Sequence, residues 1–148
     1  ADDSGYWQRN HVGRALAKLD FDRDGRQDFV VTHVGETSAL LLNRTELKNH
    51  WFQLEIVGVV SERDAIGGRV VVRSGNVEIT EWLNAGDGFI CRNEPVLSFG
   101  VGNAFSLDEV VIHWPSGKQQ IFRDVKSDQR CLLVEGQTEL FPLVNMAD

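Results

Sequence analysis

Short stretches of alternating apolar and polar residues, separated by glycine-rich turns, make up most of this chain. In the clearest example, Phe52, Leu54 and Ile56 alternate with Gln53 and Glu55. This period of two is typical of a β-strand that packs one face on a core. Similar stretches predict strands at residues 69–73, 77–83, 96–101, 109–114, 119–122 and 131–135. Short strands that recur regularly with such turns predict an all-β fold, an antiparallel β-sandwich or barrel.

The first third of the chain has a separate three-strand pattern. Apolar residues on either side of an acidic loop predict two antiparallel strands between residues 14 and 34, and a polar turn at 35–38 leads into a short third strand at 39–42. This part is therefore predicted to be a three-stranded meander. Helix is expected only as a turn or two at residues 124–129. Residues 138–148 show no period, and Leu140, Phe141 and Leu143 are candidates to dock on the sheet.

Three tryptophans bear on what the strands do. Trp51 and Trp82 alternate with other apolar residues and are interpreted as core. Trp114 precedes a Pro-Ser-Gly turn and has two interpretations. It either ends a strand inside the core, which we favour, or exposes its indole as a platform for a sugar ring.

The acidic loop is the one stretch that indicates a specific chemistry, because its carboxylates recur at alternate positions around a glycine. Acids so close repel one another unless a cation lies between them. Calcium takes six to eight oxygen ligands at roughly 2.3–2.6 Å, and the spacing follows positions 1, 3, 5, 7 and 9 of a calcium-binding loop. The predicted ligands are the carboxylates of Asp20, Asp22, Asp24 and Asp28 and the backbone carbonyl of Arg26.

The sequence around this loop argues against an EF-hand. The twelfth position, where an EF-hand has a bidentate glutamate, is Val31, and the residues after the loop are β-branched and typical of a strand. The loop is therefore expected to join two antiparallel strands. The alternative is a solvated acidic turn without metal. We favour calcium, because a turn needs one acid and not four at alternate positions.

Composition and charge narrow the classes of partner. The chain has 148 residues, of which 42% are hydrophobic and 25% charged, as in soluble globular proteins. Its net charge of −7 argues against nucleic acid or an anionic membrane as a partner, even if a divalent ion brought it to about −5. The sequence contains no apolar run long enough for a membrane span. Whether Cys91 and Cys131 form a disulfide stays open.

The sequence offers little support for catalysis. The four histidines are not spaced as zinc ligands, and no serine lies in a nucleophile-elbow motif. A pair of carboxylates such as Glu81 and Asp87 would suffice for a glycosidase, but nothing beyond their presence supports one. We therefore expect a protein that is not an enzyme.

Two families are suggested by motifs in the chain. The acidic loop with its following strand, residues 20–31, resembles the FG-GAP or VCBS-type repeat, a calcium-loop hairpin of β-propeller blades. Four later motifs resemble the ASPIC/UnbV domain in order and spacing. They are Asn49-His50-Trp51, Arg63-Asp64-Ala65-Ile66-Gly67, Phe99-Gly100-Val101-Gly102 and Trp114-Pro115-Ser116-Gly117. Together they resemble the carboxy-terminal end of the cartilage-acidic-protein-like family.

The resemblance implies a domain organisation and a location. Residues 1–48 are expected to form a propeller-blade-like meander, residues 49–135 the ASPIC/UnbV-like β domain and residues 136–148 a tail. A secreted or cell-envelope protein is implied, with calcium bound in the loop. Because the repeat occurs once and one blade cannot bury both its faces, we expect the chain to be a fragment of a longer protein.

Three functions remain in competition. The first hypothesis is a non-enzymatic module for adhesion or ligand binding, with a protein or glycan partner, in which calcium is structural. The second is a carbohydrate-recognition accessory or a hydrolase. The third is an assembly element, whose open meander edge packs on upstream propeller blades or on a second copy.

Overall fold

The computed structural model describes residues 5–46, 48–86 and 88–143, and this part of the chain is all-β apart from a short 3-10 helix at Tyr6–Gln8. No helix in these ranges has the length and apolar character needed to cross a membrane. The strands are β1 (Gly13–Leu19), β2 (Asp28–His33), β3 (Ala39–Leu41), β4 (His50–Val57), β5 (Arg69–Ser74), β6 (Val77–Trp82), β7 (Leu97–Gly102), β8 (Ser106–His113), β9 (Gln119–Lys126), β10 (Gln129–Val134) and β11 (Phe141–Leu143).

The first three strands form a separate antiparallel sheet in the order β1-β2-β3. Leu19 is opposite Asp28 at the end of the β1–β2 ladder, so the acidic loop joins two antiparallel strands as predicted. The three-stranded meander is therefore confirmed as a structural unit, while the domain boundaries stay a prediction.

The remaining strands form two four-stranded sheets. Sheet B has the order β11-β10-β4-β7, and sheet C has the order β6-β5-β8-β9. Every pair is antiparallel except β4 with β10, which run parallel. Apolar residues from both sheets meet in one buried cluster, which includes Phe52, Leu54, Val70, Phe99 and Ile112. The predicted β-sandwich is thus confirmed.

The tryptophans agree with the prediction only in part. Trp114 is buried in the core, which confirms the favoured interpretation, and the alternative of a sugar platform is wrong. Trp82, which the alternation predicts to be core, is 54% exposed, because β6 is an edge strand of sheet C and most of its side chains face solvent. Alternation along a strand reveals that two faces differ, but it does not reveal that the strand lies at an edge.

The carboxy-terminal part also departs from the prediction. The helix expected at residues 124–129 is wrong, because β9 continues to Lys126 and a turn containing Asp128, at a φ of 56°, leads directly into β10. The tail contributes β11, which pairs antiparallel with β10 and places Phe141 opposite Leu132. Both cysteines are free, and burial raises the pKa of the Cys131 thiol to about 11.

One buried carboxylate connects the end of β10 to two loops of the sandwich. Glu135 accepts hydrogen bonds from the backbone N–H groups of Val59, Val60 and Ser61 at 2.9, 2.8 and 2.7 Å, and from the Ser116 hydroxyl at 2.6 Å. Burial by itself raises the pKa of Glu135, but these hydrogen bonds outweigh it and lower the pKa from 4.5 to about 2.

Stability should therefore depend on Glu135 in acid. Because its pKa is lower in the folded state, its contribution is fully present above about pH 4.5 and is lost as the pH falls from 4.5 towards 2. We expect Glu135→Gln to lower the free energy of unfolding by about 1–3 kcal/mol at neutral pH and to flatten its pH dependence in this window. Urea denaturation between pH 2 and 7 measures both effects. The exposed Glu139→Gln is the control, and an equal loss in both variants would contradict the role of Glu135.

Candidate metal centre at the acidic loop

Three of the four predicted carboxylates lie together where β1 and β2 meet. Asp20, Asp22 and Asp28 each offer an oxygen, and these oxygens lie within 4.8 Å of one another. The strand register explains this, because Leu19 and Asp28 are paired and the loop returns across the end of the hairpin. Asp20 and Asp28 are almost fully buried, at 3% and 1% exposure.

The two buried carboxylates hold the loop backbone in place. Asp20 accepts hydrogen bonds from the N–H groups of Asp24 and Gly25 at 3.0 and 2.9 Å. Asp28 accepts from the N–H of Phe21 at 2.9 Å and from that of Asn43 at 2.7 Å, so it connects both ends of the loop with the segment after β3. The conformation of the loop thus depends on these carboxylates in the folded state.

The electrostatics of the cluster favour a cation. Burial is the main cause of the raised pKa of Asp20, and the negative charges of Asp28 and Glu94 raise it further. Hydrogen bonds from Gln53 and Gly25 lower this pKa, but they do not outweigh the other effects. Arg26 forms its ion pair with Asp24, and Arg44 forms its ion pair with Asp22. A buried carboxylate without a cation is costly, and a bound divalent ion would remove that cost.

Asp22 supplies the observation that tests the fit of a metal. One of its oxygens, Oδ2, accepts a hydrogen bond from Arg44 at 2.9 Å, whereas Oδ1 is buried without a partner among the described residues. A buried oxygen without a donor is unusual in a folded protein. A cluster whose possible ligands are all oxygen atoms, one of them without a hydrogen-bond donor, suits a hard cation such as calcium.

The remaining predicted ligands have other contacts. Asp24 lies outside the cluster: its Oδ1 accepts the N–H of Arg26 at 2.9 Å, and its Oδ2 is paired with the Arg26 guanidinium. Sequence spacing places Asp24 and the Arg26 carbonyl in the calcium-loop order, and their role as ligands stays a prediction.

The loop is docked on the outer face of sheet B through a row of three polar residues. Arg130, Gln53 and Ser98 are opposite one another on the adjacent strands β10, β4 and β7. Gln53 donates a hydrogen bond to Asp20 at 2.8 Å, and the Gln27 amide in the loop donates to Ser98 at 3.1 Å.

Glu94 completes this contact. Its carboxylate forms an ion pair with Arg130 at 2.7 Å and accepts the backbone N–H of Asp20 at 3.0 Å. Sequence reasoning missed Gln53 and Glu94. Gln53 occupies a polar position of an alternating strand, which predicts a solvent-facing side chain, yet it is 1% exposed because the loop covers it. Of the two carboxylates that would suffice for a glycosidase, Glu81 and Asp87, Asp87 lies outside the described residues.

Comparisons with known proteins give similarities over much of the chain. Residues 58–140 match the protein-family model described as ASPIC and UnbV. The chain is 35% identical over 116 residues, 72% of its length, to Cartilage acidic protein 1 of Xenopus tropicalis, and 31% identical over 124 residues, 78% of its length, to that of Mus musculus. It spans only 17% and 18% of these relatives. The resemblance to ASPIC/UnbV and to cartilage acidic proteins is confirmed, while the FG-GAP/VCBS-type repeat stays a prediction.

Packing of the loop on the sandwich can be tested at Gly25. This residue has a φ of 87°, and a Cβ there would overlap the indole of Trp51. Gly35 is a matched control, since it has a φ of 76° with no atom within 4 Å of an added Cβ. We expect Gly25→Ala to destabilise the protein by about 1–3 kcal/mol more than Gly35→Ala, because only the former adds a clash to the backbone strain. Urea denaturation measures the difference, and equal losses would show that loop and indole do not pack.

Proposed function

The chain belongs to the ASPIC and UnbV family, and we propose that it is a non-enzymatic, calcium-binding module of an extracellular or cell-envelope protein that serves adhesion or ligand binding. The observation that carries the calcium proposal is the cluster of Asp20, Asp22 and Asp28 with the unpaired Asp22 oxygen. Their carboxylates would hold the ion, with Asp24 and the Arg26 carbonyl as further proposed ligands.

Calcium in this position would be structural. Asp20 belongs to the cluster and also accepts the hydrogen bond from Gln53, so the ion would lie directly beside the contact between meander and sandwich. Asp28 connects the loop to the segment after β3. An ion that relieves repulsion among these carboxylates would therefore stabilise the meander and its attachment at once.

A location outside the cytoplasm is supported by the relatives, whose printed name refers to cartilage, a tissue matrix. Extracellular calcium modules bind with dissociation constants of roughly 10⁻⁴–10⁻³ M, so free calcium outside cells is sufficient to fill such a site. The module is proposed to be non-enzymatic because Asp20 and Asp28, the most deeply buried acids of the cluster, are engaged in holding backbone N–H groups.

Calcium should raise the melting temperature. With calcium at about 100 times its dissociation constant, the free energy of unfolding rises by about 2.7 kcal/mol relative to chelator. We expect Asp22→Asn, which removes the charge beside the unpaired oxygen, to weaken calcium binding at least about tenfold, a change of about 1.4 kcal/mol in binding free energy. Isothermal titration calorimetry and thermal melts with calcium or chelator measure these effects.

The matched control is Asp124→Asn on β9, where the carboxylate is exposed. It should bind calcium as the unmodified chain does. Hydrogen exchange should show that chelator increases exchange in the meander more than in sheet C. The absence of any calcium effect on the unmodified chain, or the same calcium affinity in Asp22→Asn as in Asp124→Asn, would contradict the proposal.

A second candidate function, an assembly element, is favoured by the meander surface. Leu16, Val34, Leu40 and Leu42 are between 37% and 53% exposed. Strand β3 pairs only with β2, so one edge of this sheet has no strand partner in the described part of the chain. Apolar side chains beside an open edge are typical of a surface that packs on another β unit.

Self-association or packing through this edge can be measured by sedimentation velocity over a range of concentrations. We expect Leu40→Lys on β3 to weaken any concentration-dependent association at least about tenfold, because it places a charge in the apolar contact. Val60→Lys, at a loop position that is 64% exposed, should have no effect. Association that is equally sensitive to both substitutions would rule out the meander as the contact.

A further inference from the structure

A cleft between the meander and the sandwich is not explained by the metal centre. Its volume is about 250 Å³. One side is formed by β1 and the acidic loop, and the other by the end of β6 and residues 92–98. Its lining includes the side chains of Lys18, Gln27, Glu81, Trp82, Asn84 and Glu94. A lining of this kind suits a small ligand that is rich in hydrogen-bonding groups.

Three of the polar side chains in the cleft are available to a ligand. Lys18, Glu81 and Asn84 have no side-chain hydrogen bond or ion pair within the described ranges. The ammonium donates, the carboxylate accepts, and the amide does both. Because one positive and one negative charge are available, the free groups are balanced, and they favour a ligand that is itself neutral.

Trp82 adds an apolar platform beside these groups. The side chain is 54% exposed although it is large and apolar. The Arg69 guanidinium lies 5.6 Å from its ring centroid, a cation–π contact that restrains the indole. An exposed, restrained indole next to donors and acceptors matches a sugar ring, which presents C–H groups on one face and hydroxyls around its edge.

Other classes of ligand fit this cleft less well. An apolar molecule would leave the Lys18 and Glu81 charges desolvated without partners. Lys18 and Arg92 bring positive charge to the lining and Glu81 and Glu94 bring negative charge, so the lining as a whole does not favour an anion such as phosphate, and the net charge of −7 disfavours nucleic acid. We propose that the cleft binds a short neutral carbohydrate, with Trp82 stacking on a ring and Lys18, Glu81 and Asn84 exchanging hydrogen bonds with its hydroxyls.

This inference rests on the proposed function as a ligand-binding module, and it names the ligand class. The metal centre and the cleft are adjacent, because Gln27 of the acidic loop lines the cleft and donates a hydrogen bond to Ser98. Calcium is not required for the stacking itself. Sugar binding and calcium binding can therefore be measured separately.

The test is an NMR titration of the whole chain with four neutral disaccharides: cellobiose, lactose, maltose and diacetylchitobiose. The indole N–H signal of Trp82 and the side-chain amide signals of Asn84 and Gln27 report on the cleft. We expect at least one disaccharide to shift these signals and to saturate. Trp82→Ala should weaken binding at least about tenfold, while Trp82→Phe should retain part of the affinity because it keeps an aromatic face.

Trp7→Ala is the matched control, because Trp7 is 76% exposed but is not among the residues that line the cleft. It should leave the affinity unchanged within about twofold. Thermal melts of each variant confirm folding, which an exposed Trp82 is not expected to affect strongly. The proposal would be overturned if none of the four disaccharides gave saturable shifts, or if Trp7→Ala and Trp82→Ala weakened binding equally.

Two further arms separate this proposal from the proposed function. Glucuronic acid tests the charge: binding of this anion without binding of any neutral sugar would overturn the assignment of a neutral ligand. The titrations are repeated with chelator, and the samples are analysed for cleaved disaccharide. Cleavage would contradict the non-enzymatic function while supporting the cleft. Sugar binding by a chain whose melting temperature does not respond to calcium would contradict only the calcium proposal.

Discussion

The buried contact between the Asp20 carboxylate and the Gln53 amide is the interaction on which the arrangement of this protein depends. The carboxylate organises the acidic loop through its bonds to the N–H groups of Asp24 and Gly25, and Gln53 attaches that loop to sheet B. Without the meander, the outer face of β4 would expose Gln53 to water. Without Gln53, a buried acid would lose a donor that helps to keep it ionised.

Buried acids serve as hydrogen-bond acceptors at two separate places in the fold. Asp20 and Asp28 fix the loop of the meander, and Glu135 fixes two loops at the end of β10. The two settings differ in charge. Hydrogen-bond donors around Glu135 outweigh its burial and lower its pKa to about 2, whereas burial, with a smaller contribution from the neighbouring carboxylates, raises the pKa of Asp20. This difference marks Glu135 as a structural acceptor and the Asp20 cluster as a place where a cation would add stability.

The attachment of the meander creates surfaces that neither unit would have alone. The cleft is lined from one side by Lys18 and Gln27 and from the other by Trp82 and Asn84. The β3 strand, with the exposed Leu40, has no strand partner on its outer edge in the described ranges. The chain spans less than a fifth of the length of these relatives.

The sequence by itself determined what depends on neighbouring residues. A period of two predicted the strands of the sandwich, and alternate aspartates predicted the loop and four clustered carboxylates, of which three lie together. Tertiary structure decided which faces were covered. Gln53 became buried and Trp82 exposed, because one strand lies beneath the loop and the other lies at an edge. Periodicity shows which side chains share a face, but only packing against a distant part of the chain decides whether that face meets water.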